Sequence, residues 1–291
     1  MINFYLKLKT KKNHSRKISK ADIESSTKVL FTLFTRYGDT IISIQVIKEF
    51  ISKYPNKEYL ILCPEQMKPY INQFLGDIEC IAFNKRNLIK FIKVQFFLKK
   101  WQPDIGFNPW SNGYDSCFFI SFCKHFFCYM DFPKTNKENH YEIVRDYLSL
   151  KSRPMRINSP SLPGELIFDN ILICPDSTDP LRSMESNDIS AIVEKILNKN
   201  KNALITVASM TSINQDKTKS FVFEKTPKSS AEFIKKIKSA NIVFVADSAP
   251  MHIALSLKKN TVVVLKSTTK EQILNAESEI VEFNEFMKQE F

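Results

Sequence analysis

The stretch Val243-Phe244-Val245-Ala246-Asp247-Ser248-Ala249-Pro250-Met251-His252-Ile253-Ala254-Leu255 decides the fold of this chain. Its apolar start, from Ile242 to Val245, has the β-branched and aromatic content of a buried parallel strand. Asp247 or Ser248 can then cap a helix, and Pro250 fits the first helical turn, where no intrahelical N–H is needed. The stretch predicts a strand, a tight polar corner and a helix whose N-terminus can bind an anion.

An ordinary strand-turn-helix with a buried histidine explains the same residues without any ligand. Under that alternative His252 packs in the core, whereas in a binding corner it lies in the first helical turn beside the anion. The rest of the chain has to decide between the two interpretations.

The same alternation of strand and helix extends through the chain and predicts an α/β fold. Residues 28–34, 59–63 and 78–83 are the predicted strands of the first half, and a helix follows each of the first two. Strands are predicted at 166–174, 203–208 and 221–223 of the second half. Residues 151–164 hold Pro154, Pro160, Pro163 and Gly164 among polar residues, which is typical of a linker.

These patterns predict two α/β domains, the first with the strand and helix order of a doubly wound sheet. The first covers residues 28–152, the second covers residues 165–291, and a basic extension, residues 1–27, precedes them. We expect this extension to be flexible or to lie on the surface. It contributes strongly to the net charge of +11, which favours an anionic membrane, a phosphorylated glycolipid or a nucleic acid as partner.

The six cysteines form no Cys-x-x-Cys pair, and we interpret them as reduced thiols of a cytosolic protein. No signal peptide is recognisable. In the predicted helix 86–102, a spacing of about 100° per residue separates a basic side from an apolar one. The basic side holds Arg86, Lys90, Lys93 and Lys100. It is either a solvated helix face or a strip that contacts an anionic membrane.

The corner at Asp247–His252, with the strand 261–265 after it, resembles the nucleotide-sugar signature of glycosyltransferase family nine, the lipopolysaccharide heptosyltransferases. Three further segments resemble the same family. They are the Gly38-Asp39 pair after the first strand, the segment Pro103-Asp104-Ile105-Gly106-Phe107-Asn108, and the helix that begins near His140.

The resemblance implies a GT-B architecture, in which two Rossmann-like domains face a cleft, and an inverting, metal-independent transfer without a cofactor. It implies that Asp39 is the catalytic base and that Gly38, Asn108 and Trp110 contact the acceptor. The donor diphosphate would be bound by Ser177, Thr178, Arg182, Asp247, Ser248, Ala249, Met251 and His252. The nucleoside would be bound by Ser209 and Met210.

The implied function is transfer of heptose from ADP-heptose to a lipopolysaccharide core or a related anionic surface glycan, with no nucleic acid as partner. The implied location is the cytoplasm, with peripheral contact at the inner face of the cytoplasmic membrane. Ala249 stands where the family usually has Gly, and Lys266-Ser267-Thr268 stands where it usually has Gly-Pro-Thr. These departures leave two alternatives open: another nucleotide sugar used for capsule or protein glycosylation, or a catalytically degenerate member. The basic extension leaves a third, a non-catalytic binder of anionic polymers.

Overall fold

The computed structural model describes residues 15–133, 139–152, 167–210, 221–274 and 280–289. The chain divides into two compact units, Met1–Arg153 and Pro154–Phe291, which we call unit 1 and unit 2. Each unit contains one parallel sheet with helices between its strands, so the predicted α/β class is confirmed. Most of the predicted linker, residues 153–164, lies outside the described residues.

Unit 1 has a five-stranded parallel sheet in the order β3-β2-β1-β4-β5. Its strands are β1 (Lys28–Thr32), β2 (Glu58–Cys63), β3 (Glu79–Ala82), β4 (Ile105–Phe107) and β5 (His125–Phe127). Its helices are α1 (Lys20–Ser25), α2 (Tyr37–Lys53), α3 (Lys68–Leu75), α4 (Leu88–Trp101), α5 (Tyr114–Ile120) and α6 (His140–Tyr147).

Unit 2 has a six-stranded parallel sheet in the order β11-β10-β9-β6-β7-β8. Its strands are β6 (Asn170–Cys174), β7 (Leu204–Ser209), β8 (Val222–Lys225), β9 (Ile242–Ala246), β10 (Asn260–Val264) and β11 (Val281–Glu282). Its helices are α7 (Ser186–Lys199), α8 (Ser230–Ser239), α9 (Ala249–Ser256), α10 (Lys270–Ile273) and α11 (Phe283–Lys288).

The two cores differ in composition. Unit 1 is filled largely by aromatic rings, with Phe31 5.7 Å from Phe50 and 5.8 Å from Phe107 between ring centroids. Unit 2 buries mainly Ile and Val side chains from both faces of its central strands, with Phe244 and Phe286 as an edge-to-face pair. Burial of β6 and β9 on both faces explains their unbroken apolar sequences.

Residues 15–27 belong to unit 1 and lie on its surface, which is one of the two arrangements predicted for the extension. Ile18 and Ile23 are fully or almost fully buried. The backbone N–H of Arg16 donates to the carbonyl of Phe126 on β5 (3.0 Å). Ser19 and Asp22 form a capping box at the start of α1. Residues 1–14 lie outside the described part of the chain.

None of the helices within the described ranges is both long and apolar enough to cross a lipid bilayer.

Asp104, directly before β4, forms hydrogen bonds with the backbone at the beginning of β1. Its Oδ2 accepts hydrogen bonds from the backbone N–H of Thr27 (2.8 Å) and of Lys28 (3.0 Å), and its Oδ1 accepts from Lys124 Nζ (2.6 Å). Burial alone would raise the pKa of Asp104. The hydrogen bonds from Lys124, Thr27 and Lys28 outweigh burial and hold the pKa well below its usual range.

We expect Asp104→Asn to weaken the pH dependence of the stability of unit 1. A depressed carboxyl pKa stabilises the fold above the unfolded-state pKa, and this contribution is lost progressively as the pH falls from about 5 toward the much lower folded-state pKa. The variant should be less stable at neutral pH and should show a shallower fall in the free energy of unfolding on acidification. Urea denaturation at several pH values measures both quantities.

Tryptophan fluorescence reports unit 1 selectively, because Trp101 and Trp110 are the two tryptophans of the chain and both lie there. Asp77→Asn, at an exposed carboxylate, is the matched control. Asp22, whose pKa is also depressed by its hydrogen bond from Arg16, should preserve part of the slope in the Asp104 variant. Identical slopes in wild type and variant would contradict the assignment.

Candidate functional site

The strand order of unit 2 creates a topological switch point between β6 and β9. From β6 the chain continues outward to β7 and β8 on one side, and it then returns to β9 on the other side. The two central strands are paired in parallel, with Cys174 opposite Val245. Ligands of open α/β sheets bind in the crevice beyond the carboxyl ends of such strands. The segments that follow Cys174 and Ala246 are therefore the expected binding loops.

Arg182 and Asp247 form an ion pair at this switch point. Asp247 is 3% exposed, and its Oδ2 accepts from Arg182 Nη1 (3.2 Å) and from Thr268 Oγ1 (2.7 Å). Asp179 Oδ2 lies 3.6 Å from Arg182 Nε, which is buried without a hydrogen-bond partner in the structure. The guanidinium is thus oriented by two carboxylates and retains donors for another acceptor.

This geometry corrects the predicted role of Asp247. A buried carboxylate that is already bound to Arg182 and Thr268 does not bind a diphosphate, because like charges repel. Asp247 instead positions Arg182. Sequence reasoning missed Thr268, which it had noted only as part of a departure from the family pattern.

The loop after β6 is held closed by Ser177. Its backbone N–H donates to Ser183 Oγ (2.9 Å), and its hydroxyl donates to the carbonyl of Asp247 (3.3 Å), which ties the loop to the end of β9. Thr178, the next residue, is exposed. It remains a predicted contact of the donor diphosphate. Ser177 therefore holds the loop after β6 in place.

Helix α9 begins at the corner as predicted, with Ser248 as its N-cap residue. The Ser248 hydroxyl does not cap the helix but donates to the carbonyl of Ala246 (3.3 Å). The Met251 N–H donates to the carbonyl of Ser248 (3.0 Å), the Met251 side chain is fully buried, and Pro250 has no N–H. These contacts leave Met251 little to offer a diphosphate, and we do not propose it as a donor ligand. Ala249 is partly exposed.

His252 is 5% exposed in the first turn of α9, as the structural alternative predicted. Ser209 is fully buried at the end of β7, where its hydroxyl donates to Asp176 Oδ1 (3.0 Å). The predicted nucleoside contact of Ser209 is corrected, since its hydroxyl holds β7 to the loop after β6. Met210 is exposed beside it, and its backbone N–H donates to the carboxylate of Asp176.

Lys266 does not project freely beyond β10. Its Nζ lies 2.8 Å from Glu185 Oε1 and 3.1 Å from Asp188 Oδ2, the two residues that form the capping box of α7. The hydrogen bond to Glu185 raises the pKa of Lys266. The basic residue that replaces the family's glycine thus joins β10 to α7.

In unit 1, Asp39 lies beyond the end of β1, which borders the switch point between β1 and β4. Thr35 Oγ1 donates to Asp39 Oδ2 (3.3 Å), and the same hydroxyl lies 3.5 Å from the carbonyl of Trp110. Arg36 is the N-cap residue of α2, and Asp39 lies in the first turn of the helix. Gly38 is the second residue of α2 and has no positive φ, and its contact with the acceptor stays a prediction.

An aromatic cluster formed by Trp110, Tyr129 and His140 adjoins Asp39. The Trp110 ring centroid lies 5.5 Å from that of Tyr129 and 5.5 Å from that of His140. Burial raises the pKa of Tyr129 to about 12, and the negative charge of Asp39 adds to the effect. Trp110 adopts a positive φ of 57°, and its buried Nε1 has no hydrogen-bond partner in the structure.

Trp110 therefore remains a candidate acceptor contact, and Thr35, Tyr129 and His140 join it. Sequence reasoning missed these roles because Tyr129 and His140 are distant from Asp39 along the chain. The only signal in the sequence was that both side chains carry an aromatic ring.

Asn108 does not line an acceptor loop, contrary to prediction. It is 0% exposed. Its N–H donates to the hydroxyl of Tyr147 (2.9 Å), its Oδ1 accepts from the N–H of Tyr129 (2.7 Å), and its Nδ2 donates to the carbonyl of Ser111 (2.9 Å). Asn108 thus joins the loop after β4, the segment after β5 and the last residue of α6, and it has no surface for a substrate.

Within the described ranges, no three or more His, Cys, Asp or Glu side chains are grouped so as to hold a metal ion.

The fold is shared with solved glycosyltransferase structures. E. coli ADP-heptose lipopolysaccharide heptosyltransferase II aligns with a TM-score of 0.64 at 13% identity, over 90% of this chain and 97% of that one. A family 9 glycosyl transferase from Veillonella parvula DSM 2008 aligns with a TM-score of 0.66 at 12% identity, over 90% of each chain. E. coli heptosyltransferase WaaC with ADP aligns with a TM-score of 0.54 at 10% identity, over 88% of this chain and 93% of that one.

No protein-family model and no curated protein sequence matches the chain. The fold thus defines an α/β protein with two Rossmann-like units, each with polar residues at its switch point. More narrowly, it is the fold of the heptosyltransferases and of a family 9 glycosyltransferase. The resemblance seen in the sequence is confirmed at the level of this fold.

We expect Asn108→Ala to destabilise unit 1 by about 3 kcal/mol, because it leaves several buried donors and acceptors unsatisfied, each costing about 1–3 kcal/mol. Urea denaturation followed by tryptophan fluorescence measures the change. Asn72→Ala, on the exposed side of α3, is the matched control and should stay within about 0.5 kcal/mol of wild type. A variant of unchanged stability would restore Asn108 as a substrate contact.

Proposed function

We propose that this protein is an inverting glycosyltransferase that transfers a sugar from a nucleoside diphosphate sugar to a hydroxyl group of an acceptor glycan. One observation carries the proposal. In a chain with the heptosyltransferase fold over nearly its whole length, two carboxylates orient Arg182 at the switch point of unit 2. A guanidinium oriented in this way is suited to bind a diphosphate.

Arg182 is the main donor ligand in this proposal. It stabilises the charge that develops on the diphosphate as the glycosidic C–O bond breaks. Thr178, Ser248 and Ala249 at the carboxyl ends of β6 and β9 add hydroxyl and backbone groups, and the positive end of α9 adds a favourable dipole. Met210, exposed after β7, is the remaining candidate for the nucleoside.

Asp39 is the proposed general base. Its carboxylate accepts the proton of the acceptor hydroxyl while that oxygen forms a bond to the anomeric carbon. The bond between the anomeric carbon and the diphosphate oxygen breaks, and the nucleoside diphosphate leaves with the bonding electron pair. Asp39 lies in the N-terminal turn of α2, where the helix dipole is favourable to a negative charge, and it accepts a hydrogen bond from the hydroxyl of Thr35.

ADP-heptose is the leading donor, because the structures of similar fold include an ADP-heptose enzyme and a complex with ADP. The proposed acceptor is a lipopolysaccharide core or another anionic glycan, which suits the net charge of +11. Such an acceptor would bring a cytoplasmic enzyme to the inner face of the membrane. Another nucleotide sugar is the alternative donor.

We expect Arg182→Ala to weaken ADP binding by about tenfold to a hundredfold, since hydrogen bonds to a charged group contribute about 1.5–3 kcal/mol. Isothermal titration calorimetry measures the affinity, and titrations of ADP, GDP, UDP and CDP in parallel identify the preferred nucleotide. Arg86→Ala, at an exposed arginine of unit 1, is the control. Equal affinity of wild type and Arg182→Ala would remove Arg182 from the site.

Asp39→Asn should lower the turnover number by about 10²–10⁴ and leave nucleotide affinity unchanged, because the amide cannot accept the proton. The assay follows release of nucleoside diphosphate from ADP-heptose, or from the nucleotide sugar preferred in calorimetry, with a Kdo-lipid A acceptor. Asp77→Asn controls for the loss of one carboxylate. Undiminished release by the Asp39 variant would exclude it as the base.

A further inference from the structure

Helix α4 (Leu88–Trp101) has two apolar sides, only one of which is buried in unit 1. Phe91, Val94 and Leu98 pack into the core. A second set projects from the opposite part of the helix. It consists of Leu88 (54% exposed), Ile89 (69%), Ile92 (42%) and Phe96 (67%). At about 100° per residue these four fall within a single arc of about 100°. We call this set the α4 apolar face.

Lysines border the α4 apolar face. Lys93 and Lys100 follow along its edge. Lys99 falls within its arc at the C-terminal end of the helix, and its Nζ lies 5.8 Å from the ring centroid of Phe96. The helix contains no acidic residue. Within the described ranges no carboxylate pairs with Lys93, Lys99 or Lys100, whereas Lys90, on the same basic side but farther from the apolar face, pairs with Glu65 (2.6 Å). The border is thus positively charged and not neutralised.

We propose that the α4 apolar face is the surface by which this protein lies on an anionic lipid bilayer. Apolar side chains on one face of a helix, flanked by lysines, are typical of helices that lie in the plane of a membrane interface. Ile89, Ile92 and Phe96 enter the boundary between headgroups and acyl chains. The lysines contact anionic headgroups, with their alkyl stems along the apolar surface.

The charge at the border favours a bilayer over a protein partner. A second copy docked on the same face would bring two lysine borders together, since a two-fold interface pairs each patch with itself. Protein interfaces are also depleted in lysine. A lipid surface offers both an apolar interior and negative charge at the matching depth. The proposal rests on the exposure and charge of α4, and it does not depend on the donor chemistry of unit 2.

The test is co-sedimentation of the full chain with phosphatidylcholine vesicles that either contain or lack phosphatidylglycerol. Wild type should bind the anionic vesicles, and added salt should weaken the binding. Ile89→Ser/Phe96→Ser and Lys93→Glu/Lys100→Glu should each reduce partitioning by about tenfold or more. All variants retain residues 1–14, so a difference between them reports α4 and not the basic N-terminal segment.

Two matched controls separate the face from general effects of the substitutions. Val222→Ser removes an exposed apolar side chain from β8, and Lys48→Glu/Lys53→Glu reverses two charges on α2. Both should bind vesicles like wild type. ADP affinity, measured on every variant, should be unchanged, so that failure of membrane binding and failure of the proposed transferase activity are distinguished.

Two outcomes would overturn the proposal. In the first, both α4 variants bind anionic vesicles as tightly as wild type, which would place any lipid contact elsewhere. In the second, wild type does not bind vesicles but self-associates in analytical ultracentrifugation, and Ile89→Ser/Phe96→Ser abolishes that association. The face would then be an interface between copies of this chain.

Discussion

The ion pair between Asp247 and Arg182 is the constraint on which the candidate site depends. Breaking it would leave a buried carboxylate without its cationic partner, which is far costlier than leaving the pair intact. The pairing requires β9 to end beside β6, because only this strand order places the two residues at one edge of the sheet. The polar residues of the candidate site therefore depend on the apolar residues that form the central strands before them.

The strand and helix pattern was predictable because hydrophobic periodicity and prolines report local structure directly. The corner at Asp247 and the helix after it illustrate this. What the sequence could not reveal was which polar residues at strand ends face a ligand. Asn108, Ser209 and Met251 were predicted as binding groups, but each has its hydrogen bonds satisfied inside the protein. A hydroxyl or amide that closes a loop has the same sequence signature as one that binds a substrate.

Long-range pairings account for the residues that were missed. Thr268 reaches Asp247 across the edge of the sheet, and Tyr129 is brought near Asp39 by the order of β1, β4 and β5. In α4 the helical wheel located the buried apolar side, but the second apolar side became recognisable only through its exposure. A helical wheel gives the angular position of a side chain around the helix axis, but it does not show which other parts of the protein cover that side chain.

The contrast between the aromatic core of unit 1 and the aliphatic core of unit 2 bears on how each half can change over evolutionary time. Ile, Leu and Val of similar volume replace one another at a cost below about 1.5 kcal/mol. Ring pairs such as Phe31 and Phe50 depend on orientation as well as size, and such pairs contribute about 0.5–1.5 kcal/mol beyond their buried area. Unit 2 can thus drift in amino-acid identity while its hydropathy pattern persists, whereas unit 1 is tied to particular side-chain shapes.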